Sequence, residues 1–413
     1  MKILIVLFLW LNVIYAVDAT MEIVKNNSSK SQIVIFKSQQ SANDHFSSKI
    51  IDLLKKDLEV SCNFSISESP HSVAIESFPS DAANRGNLAL VANVITLGEK
   101  VALQIKLYDT GSQKLVLDST ISPTTHSKYP FLSHKAAILI NDYLGAHSID
   151  WMNKFVVFSR YLNAKQSEII VADYTLTFQT TVIKGGLNLF PKWSDNTQQA
   201  FYYTSYVGAI PTIKKFNLST ATTENIASSE GMIVCSDVST DGKKLVMTMA
   251  PASQPDIFVF DVATKQKTKI TNYSGIDVGG KFIQNDSKIA FISDRLSKPS
   301  IFVQSLNGSN FEKLANIGSN SSSFSTYQNY VAYSSKESSD RNFNIYLVST
   351  IGGFKQQITT SGKNEFPRFA PNGQSLLYLK ESGGKSNVAI FRLNDNKEFL
   401  FPSKIGALQS IDW

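Results

Sequence analysis

An aromatic or apolar anchor, a polar turn and a tight apolar strand seven residues after the anchor recur along most of this sequence. Trp193 leads to Ala200-Phe201-Tyr202, Val238 to Leu245-Val246-Met247 and Phe282 to Ile289-Ala290-Phe291. Phe324 leads to Val331-Ala332-Tyr333 and Phe369 to Leu376-Leu377-Tyr378, and Trp413 is one more anchor with no strand after it. The anchors stand about 42 to 45 residues apart, within the range of a four-stranded propeller blade. Such a unit cannot bury both faces of its sheet alone, so successive repeats must pack against one another.

The second half of each repeat agrees. A β-branched or aromatic strand follows each time, as in Ile213 to Phe216, Ile257-Phe258-Val259-Phe260 and Ile345-Tyr346-Leu347-Val348. Asp241-Gly242 and Asn372-Gly373 are turn pairs that tolerate positive φ in a hairpin. The first cycle has the strand Val156-Val157-Phe158, but its anchor position is only Ile149. The segment ending at Trp413 is expected to supply the missing strand and close a ring, which removes exposed sheet edges. The fold class expected is therefore an α/β N-terminal domain followed by an all-β six-bladed β-propeller over residues 147–413.

The part before the propeller divides in three. Residues 1–19 read as a secretory signal: Lys2, an apolar run from Ile3 to about Ile14, then Val17-Asp18-Ala19 at the cut, with cleavage after Ala16 as the alternative. The run is short for the roughly 20 residues of a membrane span, so export as a soluble protein without membrane insertion is expected. Residues 20–32 form a tail. Met21-Glu22-Ile23-Val24 alternates like a strand, and the segment reads either as a loosely docked terminus or as a linear epitope that adds to a partner's sheet edge. Residues 33–146 form a small α/β domain with strands at Ile33 to Phe36, Leu88 to Val94, Val101 to Tyr108 and Lys114 to Ile121. Helices are expected from Ser47 to Val60, with Ile50, Leu54 and Leu58 inward and Asp57 on the polar side, and from Tyr129 to Leu144, with Gly145 as its cap.

Charge and rare residues narrow the function. The net charge of +6 comes from Lys and Arg scattered through turns, which suits a solvated surface rather than a nucleic-acid site. Cys62 and Cys235 fall in different domains, so no disulfide is expected between them. All five histidines (His45, His71, His126, His134 and His147) precede the first propeller strand and lack metal-ligand spacing. Each reads as a surface or satisfied core residue, leaving the blades without the commonest general base. There is no Gly-x-Ser-x-Gly elbow, and turn residues such as Asp195 and Asp241 have a structural explanation. Binding is expected, with no catalytic residue, metal or cofactor.

In this order of segments, the chain resembles the TolB family, periplasmic propellers of the Tol–Pal system of Gram-negative bacteria, over essentially its whole length. The more specific marks are Phe190-Pro191-Lys192-Trp193-Ser194, Ile289-Ala290-Phe291-Ile292-Ser293-Asp294-Arg295 and Phe366-Pro367-Arg368-Phe369-Ala370-Pro371-Asn372-Gly373, with Leu107-Tyr108-Asp109-Thr110-Gly111 in the first domain. It departs where the family has Ser-Pro-Asp-Gly after the anchor, reading Ser194-Asp195-Asn196 and Ile283-Gln284-Asn285-Asp286 instead. The resemblance implies a monomeric periplasmic scaffold without chemistry. It would bind the lipoprotein Pal at one propeller mouth and TolA through the mature N-terminus, at Met21, Glu22, Ile23 and Val24, with other outer-membrane proteins as further partners. The system supports outer-membrane constriction at division and is exploited by colicins and filamentous phage.

The Pal site is expected just before the anchors, where the outermost strand of one blade connects to the innermost strand of the next and all connections reach one end of the ring. In the family, Pal contacts fall at such positions. They correspond by spacing to Leu187, Asn188, Leu189, Met232, Ile233, Ile276, Asp277, Ser319, Asn320, Lys363, Asn364 and Leu408. Large apolar groups in rim connections either pack between blades or form a binding patch. The other readings are a periplasmic hydrolase or lyase using the pore, and a scaffold for an unrelated partner.

Overall fold

A computed structural model describes residues 30–42, 44–308, 310–316, 323–336, 342–402 and 406–413. The leader, the tail residues Met21 to Val24, and Ser319 and Asn320 lie outside the described residues.

Strand Ser31–Lys37 begins two residues before the apolar run that signals it, and it runs parallel to both neighbours, Phe64–Glu68 and Leu88–Leu97. Parallel neighbours need a crossover, and helix α1, His45–Ser61, supplies one. Strands Lys100–Asp109 and Lys114–Thr125 extend the sheet antiparallel. Phe64–Glu68 was hidden in the sequence because only its first residue is buried. Asp44 caps α1 by accepting from the Phe46 and Ser47 amides at 3.2 and 2.8 Å. Ile33 and Ile35 face α1 and helix α2, Pro130–Tyr143, whereas Val34 and Phe36 pack on the other face with Ile75 and Ala82. Both helices thus lie on one side of a mixed sheet, and Gly145 ends α2 at φ +65°.

The propeller has six four-stranded antiparallel sheets. Five blades are continuous in sequence, with innermost strands Asn188–Trp193, Ile233–Val238, Asp277–Ile283, Phe324–Tyr327 and Lys363–Phe369. The sixth takes its innermost strand, Ala407–Asp412, from the far end of the chain and pairs it with Val156–Asn163, Ser410 opposite Ser159. Each innermost strand neighbours the next in a closed cycle, so the ring closes as the segment before Trp413 suggested. Ile149, at the anchor position of the first cycle, is instead buried against the α/β domain.

Two turns shift the anchor's pairing. Strand Ala200–Ser205 begins seven residues after Trp193, but Trp193 pairs with Phe201, the strand's second residue, because the first blade's turn is longer. In the fourth blade Thr326, not Phe324, pairs with Val331, and Phe324 pairs with Tyr333. The hairpin there is shorter, with Gln328 at φ +50°, so Thr326 takes the anchor's place while Phe324 packs two residues earlier.

The α/β domain docks on the closing and fifth blades through one continuous core. Trp151 meets Trp413 edge to face at 5.3 Å, and Ile390, Leu377 and Ile411 belong to the same cluster as Leu54 and Leu132.

Candidate functional site: the propeller pore and its rims

The innermost strands all run the same way. Residues before the anchors line one cavity of about 430 Å³, and residues at and after the anchors line a second of about 410 Å³. Of the residues expected at the pre-anchor mouth, Met232 lines the first of these cavities, and the expected residues separate by register. Six residues before the anchor, Met232 is 37% exposed and Ile276 49%, Lys363 is exposed and Leu187 half-buried. One residue further on, the strand has begun and the side chain turns inward between blades. Asn188, Ile233, Asp277 and Asn364 are all buried there, and Leu408 is half-buried.

These inward residues hold the rim together. Asn188 Nδ2 donates to Gly185 O at 2.8 Å, and Asn364 Nδ2 to Ser361 O at 3.0 Å and Phe343 O at 3.1 Å. Asp277 takes Nη2 of Arg295 on both oxygens, at 3.1 and 2.9 Å, beneath the rings of Tyr273, Phe291, Phe302 and Phe311. Ile233 belongs to the second blade's core, and Leu189 is also buried. The side chains exposed at this mouth are Met232, Ile276 and Lys363, with Leu187 half-buried beside them in register.

Between the two cavities runs a ring of charge that the sequence reading passed over. It stands one residue before each anchor: Lys192, Asp237, Lys281, Ser325, Arg368 and Asp412, all lining the cavity on the anchor side. Lys192 Nζ lies 3.0 Å from Oδ1 of both Asp237 and Asp412. Burial opposes the Lys192 ammonium, but the two carboxylates outweigh it and raise its pKa. Burial likewise opposes ionisation of Asp237, yet Lys192 and Lys281 hold its pKa below the usual range. Burial pushes the Lys281 amine down to about 8. The signal was available in sequence as a charged residue directly before an apolar anchor.

A second buried charge cluster joins the two domains. His134 on α2 places Nδ1 2.8 Å from Asp57 on α1, and Nε2 3.2 Å from Asp173, which follows the closing blade's third strand, Gln166–Ala172. Tyr174 donates to Asp57 Oδ1 at 2.5 Å, while the Thr175 and Phe178 amides hold Asp173 at 2.9 and 2.6 Å. His134, Asp57 and Asp173 have no exposed surface, so Asp57 is not on a solvated face as its place in the helical pattern suggested. Burial disfavours the imidazolium, but Asp57 and Asp173 outweigh it and hold its pKa at about 9; burial raises that of Asp57. Among the described residues no group of three His, Cys, Asp or Glu is placed to hold a metal, and no helix is long and apolar enough to cross a membrane. Cys62 and Cys235 are free and buried.

Comparison with known proteins bears on this architecture. The profile of the TolB beta propeller domain matches residues 153–413. The Tol-Pal system protein TolB of Wolinella succinogenes is 42% identical over 422 residues, covering 100% of both chains. Those of Campylobacter jejuni and Helicobacter hepaticus are 38% and 36% identical, covering 100% and 97% of both chains. The crystal structure of TolB from Acinetobacter baumannii superposes with a TM-score of 0.74 over 93% of this chain and 96% of that one, at 22% identity.

Proposed function

The chain belongs to the TolB family of the Tol–Pal system, and from that premise we propose that it is a non-enzymatic periplasmic adaptor. It binds the lipoprotein Pal at the pre-anchor mouth and TolA through residues 21–24, and supports outer-membrane constriction during division. The observation that supports the Pal half is exposed Met232, which lines an apolar cavity, together with exposed Ile276 at the same register position of the next blade. Exposed apolar groups clustered at the mouth of a cleft are what a protein partner covers. TolA binding rests on the alternation of Met21-Glu22-Ile23-Val24, which suits strand addition: main-chain hydrogen bonds supply affinity and alternate side chains set register.

Two titrations test the proposal, with the mature protein against soluble Pal and against the soluble part of TolA. Deleting residues 20–31 is expected to abolish TolA binding and leave Pal affinity unchanged. TolA binding that survives the deletion removes the tail's role, and absence of Pal binding by intact protein removes the adaptor reading. Cell fractionation with N-terminal sequencing is expected to find a periplasmic protein beginning near Val17 or Thr20.

A further inference from the structure

The six ring positions fall into three successive pairs, each a cation followed by an acceptor: Lys192 with Asp237, Lys281 with Ser325, and Arg368 with Asp412. In every pair the acceptor's side-chain oxygen takes the backbone N–H of the next blade's anchor. Asp237 Oδ2 accepts from Phe282 at 2.9 Å, Asp412 Oδ2 from Trp193 at 3.0 Å, and Ser325 Oγ from Phe369 at 3.2 Å. Each aspartate has a second oxygen left for the pore. Asp237 Oδ1 and Asp412 Oδ1 both engage Lys192 at 3.0 Å, and Asp412 Oδ1 lies 3.8 Å from Arg368 Nε. Ser325 makes the amide contact and has no second oxygen.

The strand that carries Ser325 stands between those that carry Lys281 and Arg368. Lys281 Nζ donates to Ser236 O and has no carboxylate within ion-pair distance among the described residues. Three cations thus share two carboxylates. The nearby acids do not redress this: Asp195 binds the Thr197 amide at 2.8 Å and Asp286 the Thr240 amide at 2.7 Å, both further out at the mouth. An unmatched ammonium held partly out of water is costly until a counter-charge meets it, and desolvation lowers the half-buried Lys281 amine to about 8.

We infer that the pore binds a carboxylate group between Lys281 and Arg368, where the repeat lacks its third aspartate. The bound group replaces the missing Oδ1 and restores the alternation of charge around the ring. Lys281 and Arg368 line both cavities, of about 410 and 430 Å³, so the group can enter from either mouth. It is supplied by a small organic acid or by an Asp or Glu side chain of a docked protein. The inference holds whether or not Pal is the partner at the rim.

The probe is sodium acetate exchanged for sodium chloride at fixed ionic strength, read as the thermal unfolding midpoint. Acetate is expected to raise the midpoint of the wild type and of Ser325→Ala, which keeps both cations. Ser325→Asp supplies the carboxylate in place, and its apparent acetate affinity is expected to fall at least tenfold, as is that of Lys281→Met. A wild type indifferent to acetate, or a Ser325→Asp variant that responds as the wild type does, overturns the inference. If Ser325→Asp fails to fold, bromide-soaked crystals of the wild type decide: an anomalous peak between Lys281 and Arg368 supports the site, and its absence overturns it. Soluble Pal then separates the two sources. Tenfold weaker binding to Ser325→Asp marks a partner's carboxylate in the site, and unchanged binding marks a free acid.

Discussion

At the seam with the α/β domain, His134 sits between Asp57 and Asp173 with every polar atom partnered and no exposure; in the pore, half-buried Lys281 has no carboxylate of its own among the described residues. The seam joins three elements that must each be in place, so its charges set how the domains dock. Polar and charged groups fully partnered inside a dry interface belong to the fold, since removing one leaves another with no solvent to turn to. The pore lies between two open cavities, where an imbalance can be met by something that arrives from outside. The same residue types thus serve architecture at one place and leave room for a ligand at the other.

The seam is broken hardest by Asp57→Ala, which leaves His134 Nδ1 and the Tyr174 hydroxyl without their buried partner and is expected to cost about 3–5 kcal/mol in denaturant unfolding. A loss under about 1 kcal/mol would show that the cluster is not held as a charged unit. Titration sharpens the contrast, because the two places slope oppositely with pH. His134 has a folded value of about 9 against 6.5, so its contribution is complete below pH 6.5 and is lost as pH rises through about 9. Asp57, whose value burial also raises, acts in the same sense. Lys281 has a folded value of about 8 against 10.5, so its penalty is complete below pH 8 and is relieved as pH rises toward 10.5. Each shift corresponds to on the order of 3 kcal/mol. Unfolding curves from pH 6 to 10 should fall less steeply for His134→Gln and lose the opposing rise for Lys281→Met; profiles identical to wild type contradict the assignment. At the rim, Met232→Ala and Leu187→Ala are each expected to weaken Pal binding tenfold or more, about 1.4 kcal/mol, with stability nearly unchanged. The smallest effect belongs to Lys243→Ala at the opposite mouth. Its ammonium is 78% exposed and 3.8 Å from Asp241, and the change should stay within about 0.5 kcal/mol for both stability and Pal binding.

The repeat was legible because anchors and strands are apolar and their period survives drift in the turns. Turn length was not: Phe324 satisfies the spacing, yet the short hairpin at Gln328 hands the anchor's place to Thr326. The rim was legible as a location but not residue by residue. Met232 and Asn188 both read as connection residues, and only the strand's starting point decides that Asn188 turns inward. Lys192 and Asp412 drew no site reading, because what faces a pore depends on six strands meeting. Asp57 was placed with the polar face of α1 because a helical wheel shows one packed side and cannot show that a second domain covers the other.

Closure of the ring has a kinetic consequence. Ser159 and Ser410 share a hydrogen bond of 3.0 Å across 251 positions of chain. Against joining strands about 45 residues apart, that longer loop costs only about 1.5 kcal/mol more in closure entropy. Its weight falls on time instead, since pairings between distant segments form late and slow the whole molecule's arrival at the native state. Until Ala407–Asp412 docks, strand Val156–Asn163 offers an unpaired edge that another chain can take. For a protein that works beside many others in a crowded compartment, the vulnerable interval is this wait, and a substitution that weakens the closing strand should show first in aggregation during refolding.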